Sequence, residues 1–279
     1  MRRRLPRVFA DGRASWASAT VAALALVALV GPWIAPYPVA AQDLEHRLAA
    51  PSLSHPLGLD ELGRDVLSRL LAGARVSLAV GLAVVGISSL VGTAVGALAG
   101  VAGGWVDDLV MRVVDVFLAF PGILLAIALV AVLGPSLDHV LLALVTIGWV
   151  GYARLVRGQL LKLRELDFVT AARAAGVPRA RLVALHLLPN VLPLLAVQAS
   201  LGMAGAILAE ASLSFLGLGI QPPTPSWGAM INAGRSHLLD APHVTLFPGL
   251  AILASVVSLN FLGDALVDRF DPQFVARPR

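Results

Sequence analysis

The side chains that do chemistry are few in this 279-residue chain, and they are badly spaced for it. Cysteine is absent, which removes disulfides, thiolate metal sites and cysteine nucleophiles. The histidines stand at 46, 55, 139, 186, 237 and 243. No two share the i, i+4 spacing that places two metal ligands on one helix face. Serines are frequent, but none occupies a G-x-S-x-G turn. Lys162, the only lysine, lies between Leu161 and Leu163, so the chain has no Gly-Lys-Ser/Thr phosphate loop of its own. Asp107 and Asp108 read as a solvated pair in a connection. Hydrolysis, redox chemistry and group transfer are left without a constellation, and no cofactor or metal is expected. The chain reads as a conduit or scaffold whose energy comes from elsewhere.

The elements that would position such side chains are mostly apolar. Hydrophobic residues make up 58% of the chain and charged residues 14%, against about 25% charged in soluble domains. This is the composition of an all-α integral membrane protein. The basic N-terminus, residues 1–15, precedes an apolar run at 16–35. Trp16 and Trp33 lie about 26 Å apart at helical rise, which suits two interfacial belts. A cleaved signal peptide competes with this reading, since Val39-Ala40-Ala41 resembles a processing site. The run is nearer the ~20 residues of a membrane span than a signal core. Residues 36–75 are polar, and from Asp60 to Arg75 they are expected to form an amphipathic helix with Leu62, Val66 and Leu67 on one face. Further spans are predicted at 76–100, 109–133, 138–158, 191–212 and 244–265. They are joined by a loop at 159–190 and another at 213–243, and they end in a tail at 269–279.

Orientation follows from the basic residues. With both termini in the cytoplasm, sixteen Lys and Arg fall on the inner side and five on the outer, the bias expected of inner loops. The formal net charge of +4 is accounted for in this way, with no need for nucleic acid.

Within the spans, Gly92, Gly96 and Gly100 recur every fourth residue, the spacing that lets helix backbones approach closely in lipid. Pro121-Gly122 should kink or unwind the third span, either lining a pathway or as a tolerated irregularity. Ionisable residues sit near span ends: Arg112 and Asp115, Arg154 and Arg157, Asp264 and Asp268. Glu210 is placed near the outer surface of the fifth span. Few charges are committed to mid-membrane positions, so an ion-coupled secondary transporter is the weaker alternative.

The stretch from Asp167 to Asn190, DFVTAARAAGVPRARLVALHLLPN, is different. Phe168 to Ala175 reads as a short Ala-rich helix, stopped by Gly176 and Pro178. At about 12 Å it is marginal alone, so it is either a docking element or part of an ordinary basic loop.

Three motifs then resemble a known family. Thr170-Ala171-Ala172, then Gly176, then Leu187-Leu188-Pro189-Asn190, resembles the E-A-A loop in membrane subunits of ATP-binding-cassette importers, with Thr170 where the acid usually stands. The run from His55 to Arg69, followed by Gly73 to Leu78, looks like the outer segment of the second permease of dipeptide, oligopeptide and nickel importers. Leu59 there replaces a usual Thr. The runs from Glu210 to Gly219 and from Gln221 to Gly228 are similar to that subfamily's outer loop. The resemblance covers about residue 15 to Pro272.

It implies a type I ABC importer permease fold with six transmembrane helices, in a bacterial or archaeal inner or plasma membrane. It implies a sister permease, two cytoplasmic ATPase subunits and an extracytoplasmic solute-binding protein as partners. It implies a coupling site at Thr170, Ala171, Ala172, Arg173, Ala175, Gly176, Leu188 and Pro189. Gln221, Pro222, Pro223 and Trp227 become candidate contacts for the binding protein. Permeases of this look carry dipeptides, longer peptides or nickel chelates, and peptide is the preferred expectation.

Overall fold

The computed structural model describes residues 12–270. The parts of the expected tails at 1–11 and 271–279 lie outside the described residues. Ten α-helices carry the described chain: α1 (Gly12–Ile34), α2 (Val66–Ala102), α3 (Gly104–Ala119), α4 (Gly122–Leu133), α5 (Leu137–Leu163), α6 (Asp167–Ala174), α7 (Arg179–Leu182), α8 (Leu188–Phe215), α9 (Trp227–Gly234) and α10 (His243–Phe270). Five rods are long and apolar enough to cross a membrane: α1, α2, α5, the continuous rod Arg179–Phe215, and α10. A sixth crossing needs α3 and α4 taken together.

The span predicted at 109–133, with a kink or unwinding at Pro121-Gly122, falls on two helices, α3 and α4. α3 and α4 meet at 84°, because Pro121 has no N–H to donate and pushes Phe120 into extended backbone (φ −98°, ψ 137°). The break proposed at Pro121 is therefore a full bend. At twelve residues α4 is only about 18 Å long, too short to cross alone.

The expected helix from Asp60 is corrected. Residues 60–65 form a turn in which the Asp60 carboxylate accepts from the backbone N–H groups of Leu62 and Arg64, both at 2.9 Å. Arg64 Nε donates to the same carboxylate at 2.7 Å, and Arg69 lies 3.3 Å from it. Asp65 then caps α2, accepting from the Ser68 N–H at 2.8 Å. The helix that carries the span predicted at 76–100 starts here, so Leu62 lies off the helix. Its 37 residues extend about 55 Å, well beyond a hydrocarbon core of ~30 Å.

The centre of the fold is the parallel seam between α2 and α5. A Cβ on Gly92 would come within 2.5 Å of the Tyr152 side chain, and one on Gly96 would enter the Ala153 backbone. At Gly100 the neighbour is Leu160, at 3.1 Å. The four-residue glycine spacing is thus a packing device, as expected. α4 and α5 close over α2 through Val84, Val130, Val140 and Leu144. α1 and α10 flank the other side, with Trp16 edge-on to Phe261 at 6.1 Å.

Replacing Gly96 with Val should break this seam, since overpacking alone costs about 1–3 kcal/mol and here the obstacle is backbone. Gly86 faces open space and serves as the control for the same change. Thermal unfolding of the purified protein should show a marked fall for Gly96→Val and little change for Gly86→Val.

Candidate functional site: the exposed helix between two membrane rods

α6 spans Asp167–Ala174, one residue earlier than expected at each end. Its C-terminus is a complete Schellman motif. The Val177 N–H donates to the Ala172 carbonyl at 3.1 Å, and the Gly176 N–H donates to the Arg173 carbonyl at 3.0 Å. Gly176 takes φ +78°, the left-handed region that a side chain resists. The added room a Cβ would need is free at this position, so the constraint is conformational. Val177 and Ala172 both pack against the buried cluster around Val169.

One side chain anchors the helix. Val169 is fully buried among Val156, Leu160, Leu182, Leu187 and Val191, with Leu188 packed alongside. Thr170, Ala171, Arg173, Ala174 and Ala175 are exposed, as is Pro189. Ala172 is half-buried. The Thr170 hydroxyl turns back to the Leu166 carbonyl at 3.5 Å, where the usual acid would project outward. The eight expected coupling residues therefore form one contiguous unit around the loop, most of it open to a partner.

Behind the loop, α7 runs into α8 through a π-turn at Val183–Leu187, closed by the Leu188 N–H on the Val183 carbonyl. The cause is local: the ring of Pro189 crowds the carbonyl four residues back, and a wider turn accommodates it. Asn190 adds a bond from its side-chain amide to the His186 carbonyl at 2.6 Å.

At the opposite end of the rods, the candidates separate. Gln221, Pro222 and Pro223 are exposed. Trp227 is not: it is 1% exposed, its Nε1 donates to the Leu70 carbonyl at 3.1 Å, and its backbone N–H donates to Ser77 Oγ at 3.2 Å. A ring clamped in this way holds α9 against α2 and has no face to offer a binding protein. That part of the expectation is corrected.

Three buried or paired acids went unrecognised. Glu210 is fully buried, accepting from Ser214 Oγ at 2.7 Å and from Ser77 Oγ at 3.3 Å. Counting residues placed it at the outer surface; the packing of α9 over α8 encloses it. The i, i+4 spacing of Glu210 and Ser214 was the available signal. Asp107 is not solvated but buried, forming a two-bond pair with Arg157 at 2.6 and 2.9 Å. Arg154 pairs with Asp115 beside it.

The motifs and architecture can now be set against known proteins. Residues 92–275 match the family described as binding-protein-dependent transport system inner membrane component. Residues 7–51 match the N-terminal transmembrane domain of oligopeptide transport permease C.

The chain belongs to this permease family.

Among relatives, the dipeptide transport system permease protein DppC of Alkalihalophilus pseudofirmus is 44% identical over 89% of this chain and 82% of its own. The glutathione transport system permease protein GsiD of Escherichia coli is 46% identical over 90% of this chain and 83% of its own. A solved structure of the MetNI methionine ABC transporter, in an inward-facing conformation, shares the fold, with a TM-score of 0.58 at 21% identity. That likeness covers 72% of this chain and 95% of the other. The protein is thus a multi-pass ABC transporter permease with the type I importer fold.

The buried acid in the permease should be structural and measurable. Glu210→Leu removes the acceptor for two serines, and each stranded donor costs about 1–3 kcal/mol. Glu210→Gln keeps an acceptor oxygen. Melting of the purified permease should fall for Glu210→Leu and change much less for Glu210→Gln.

Proposed function

We propose that this permease forms, with a sister permease, the pathway for peptides across the inner membrane. An extracytoplasmic binding protein delivers the peptide, and two cytoplasmic ATPase subunits bound to the permease pair supply the energy. The observation that carries the reading is α6: an eight-residue helix, exposed on its Ala face, closed by a left-handed glycine and set between two rods of the membrane domain. Such a helix is too short to persist for its own sake, and Ala at the surface allows a close partner. The relatives named for dipeptide and glutathione transport support peptide as the substrate class.

Arg and Lys enrichment supports a cytoplasmic loop at 159–190, on the same side as both termini. ATP-driven closure of the ATPase pair would then move α5 and the α7–α8 rod together, a rigid-body switch of the alternating-access kind. The exposed turn at Gln221, Pro222 and Pro223 faces the other side, where the binding protein docks.

Gly176→Val should abolish substrate-stimulated ATP hydrolysis by the reconstituted importer. Gly176→Asn, which tolerates positive φ, should retain most of it. Stimulation that survives the Val change would remove coupling from this site.

Because the chain has no cysteine, single-cysteine crosslinking is direct. Pro222→Cys should capture the binding protein, and Trp227→Cys should not. Capture from Trp105→Cys, at an exposed residue near the loop between α2 and α3, would reverse the orientation.

A further inference from the structure

Beside α6 lies a recess of about 240 Å³ whose lining differs from the rest of the molecule. Three arginines line it, from three separate elements: Arg164 just past α5, Arg173 on α6 and Arg179 at the start of α7. The remaining walls are aliphatic and include Gly100, Leu160 and Leu182, and no acidic residue lines it. Arg164 reaches the exposed Glu165 at 3.0 Å. Among the described residues, no carboxylate lies within ion-pair distance of Arg173 or Arg179.

We propose that this recess binds a phosphate group, from the headgroup of an anionic phospholipid or from a soluble phosphate. Like charges gathered around one small recess repel, and the repulsion grows as its apolar walls lower the local dielectric. A single anion reverses the sign of all three interactions at once. Guanidinium forks match phosphate oxygens two bonds at a time, and basic pockets between membrane helices on the cytoplasmic side take lipid headgroups.

The consequence concerns α6. Only Val169 is fully buried on that helix, so its attachment to the permease body is slender. An anion held by Arg164, Arg173 and Arg179 would strap α6 to the ends of both flanking rods. The bound phosphate thereby stiffens the element that relays ATPase motion. The inference rests on the cytoplasmic placement of the loop proposed above, and it adds a ligand and a regulatory lever to it.

The test is amide hydrogen exchange over residues 166–182 of the assembled importer, embedded in lipid nanodiscs. One sample contains phosphatidylcholine alone and a second adds phosphatidylglycerol. A third adds inorganic phosphate to the first, and a fourth adds chloride at matched ionic strength. The expected result is a several-fold slowing of exchange with phosphatidylglycerol or phosphate, and loss of that slowing in the Arg164→Gln/Arg179→Gln double variant. Slowing by phosphatidylglycerol alone identifies the lipid source, and slowing by phosphate identifies the soluble one.

Equal exchange in all four samples overturns the proposal, as does slowing by chloride to the same degree or slowing that persists in the double variant. Should the double variant fail to assemble, Arg179→Gln should weaken the slowing and Arg179→Lys should keep part of it. An unchanged response to both variants again overturns the site. ATPase stimulation that survives Gly176→Val, with anion protection intact, would sink the coupling reading and leave the anion site standing.

Discussion

Everything in this permease hangs from the close approach of α2 and α5. In lipid the tails are as apolar as leucine, so burial of side chains gives helices no reason to associate. Dispersion between backbones in near contact must supply it, and that requires the absence of Cβ atoms where the two rods cross. Gly92, Gly96 and Gly100 meet that requirement against Trp149, Tyr152, Ala153 and Leu160. The seam fixes the relative height of the rods. It therefore fixes what each rod carries at its ends: the folded turn before α2, and α6 beyond α5.

Polar contacts then set details that dispersion leaves loose. Asp107 and Arg157 tie α3 to α5 beside the last glycines of the seam, and Phe117 stacks edge-on to Trp149 at 5.7 Å along the same interface. Just before α2, Asp60 gathers two backbone N–H groups and two arginines. Glu210 binds serines from its own helix and from α2. Each of these acids is costly without partners, so each holds its elements in one arrangement. Buried polar clusters of this kind specify geometry more than they add net stability.

The parts legible in the sequence were those encoded by neighbours along the chain. The glycine spacing predicted a seam, Ala174-Ala175-Gly176-Val177-Pro178 predicted a helix stop, and Pro121 predicted a break. What escaped depends on distant residues. The apolar pattern continues smoothly through Leu62 and Val66, and only the turn closed around Asp60 shows that the helix begins at Asp65. Trp227 in a Pro-rich loop looks like a surface aromatic until α2 presents Leu70 and Ser77 to it. Glu210 sits at a helix depth that counting assigns to solvent, yet the short helix α9 covers it. In each case local spacing was read correctly and burial was not, because burial is a property of what folds back from elsewhere.

The asymmetry between the two ends of the permease has a mechanical reading. The end that bears α9 is cross-linked: α9 is held by Trp227, by the Ser77 and Glu210 cluster, and by backbone contact between Gly228 and Ala211. α6, by contrast, is held by one buried valine and a Schellman turn. A displacement applied at the loop meets stiff joints on both sides of it. One is the end of α5, fixed by the glycine seam, and the other is the rod through the π-turn into α8. Force entering through α6 therefore passes to whole rods, because the loop has little else to deform. Loose attachment at the point of input and rigid packing beyond it are what a coupling element needs. Under the proposed reading, the four residues Ala171, Ala172, Ala175 and Gly176 do this work by staying small: they let a partner come close to a helix whose own stability depends on being gripped.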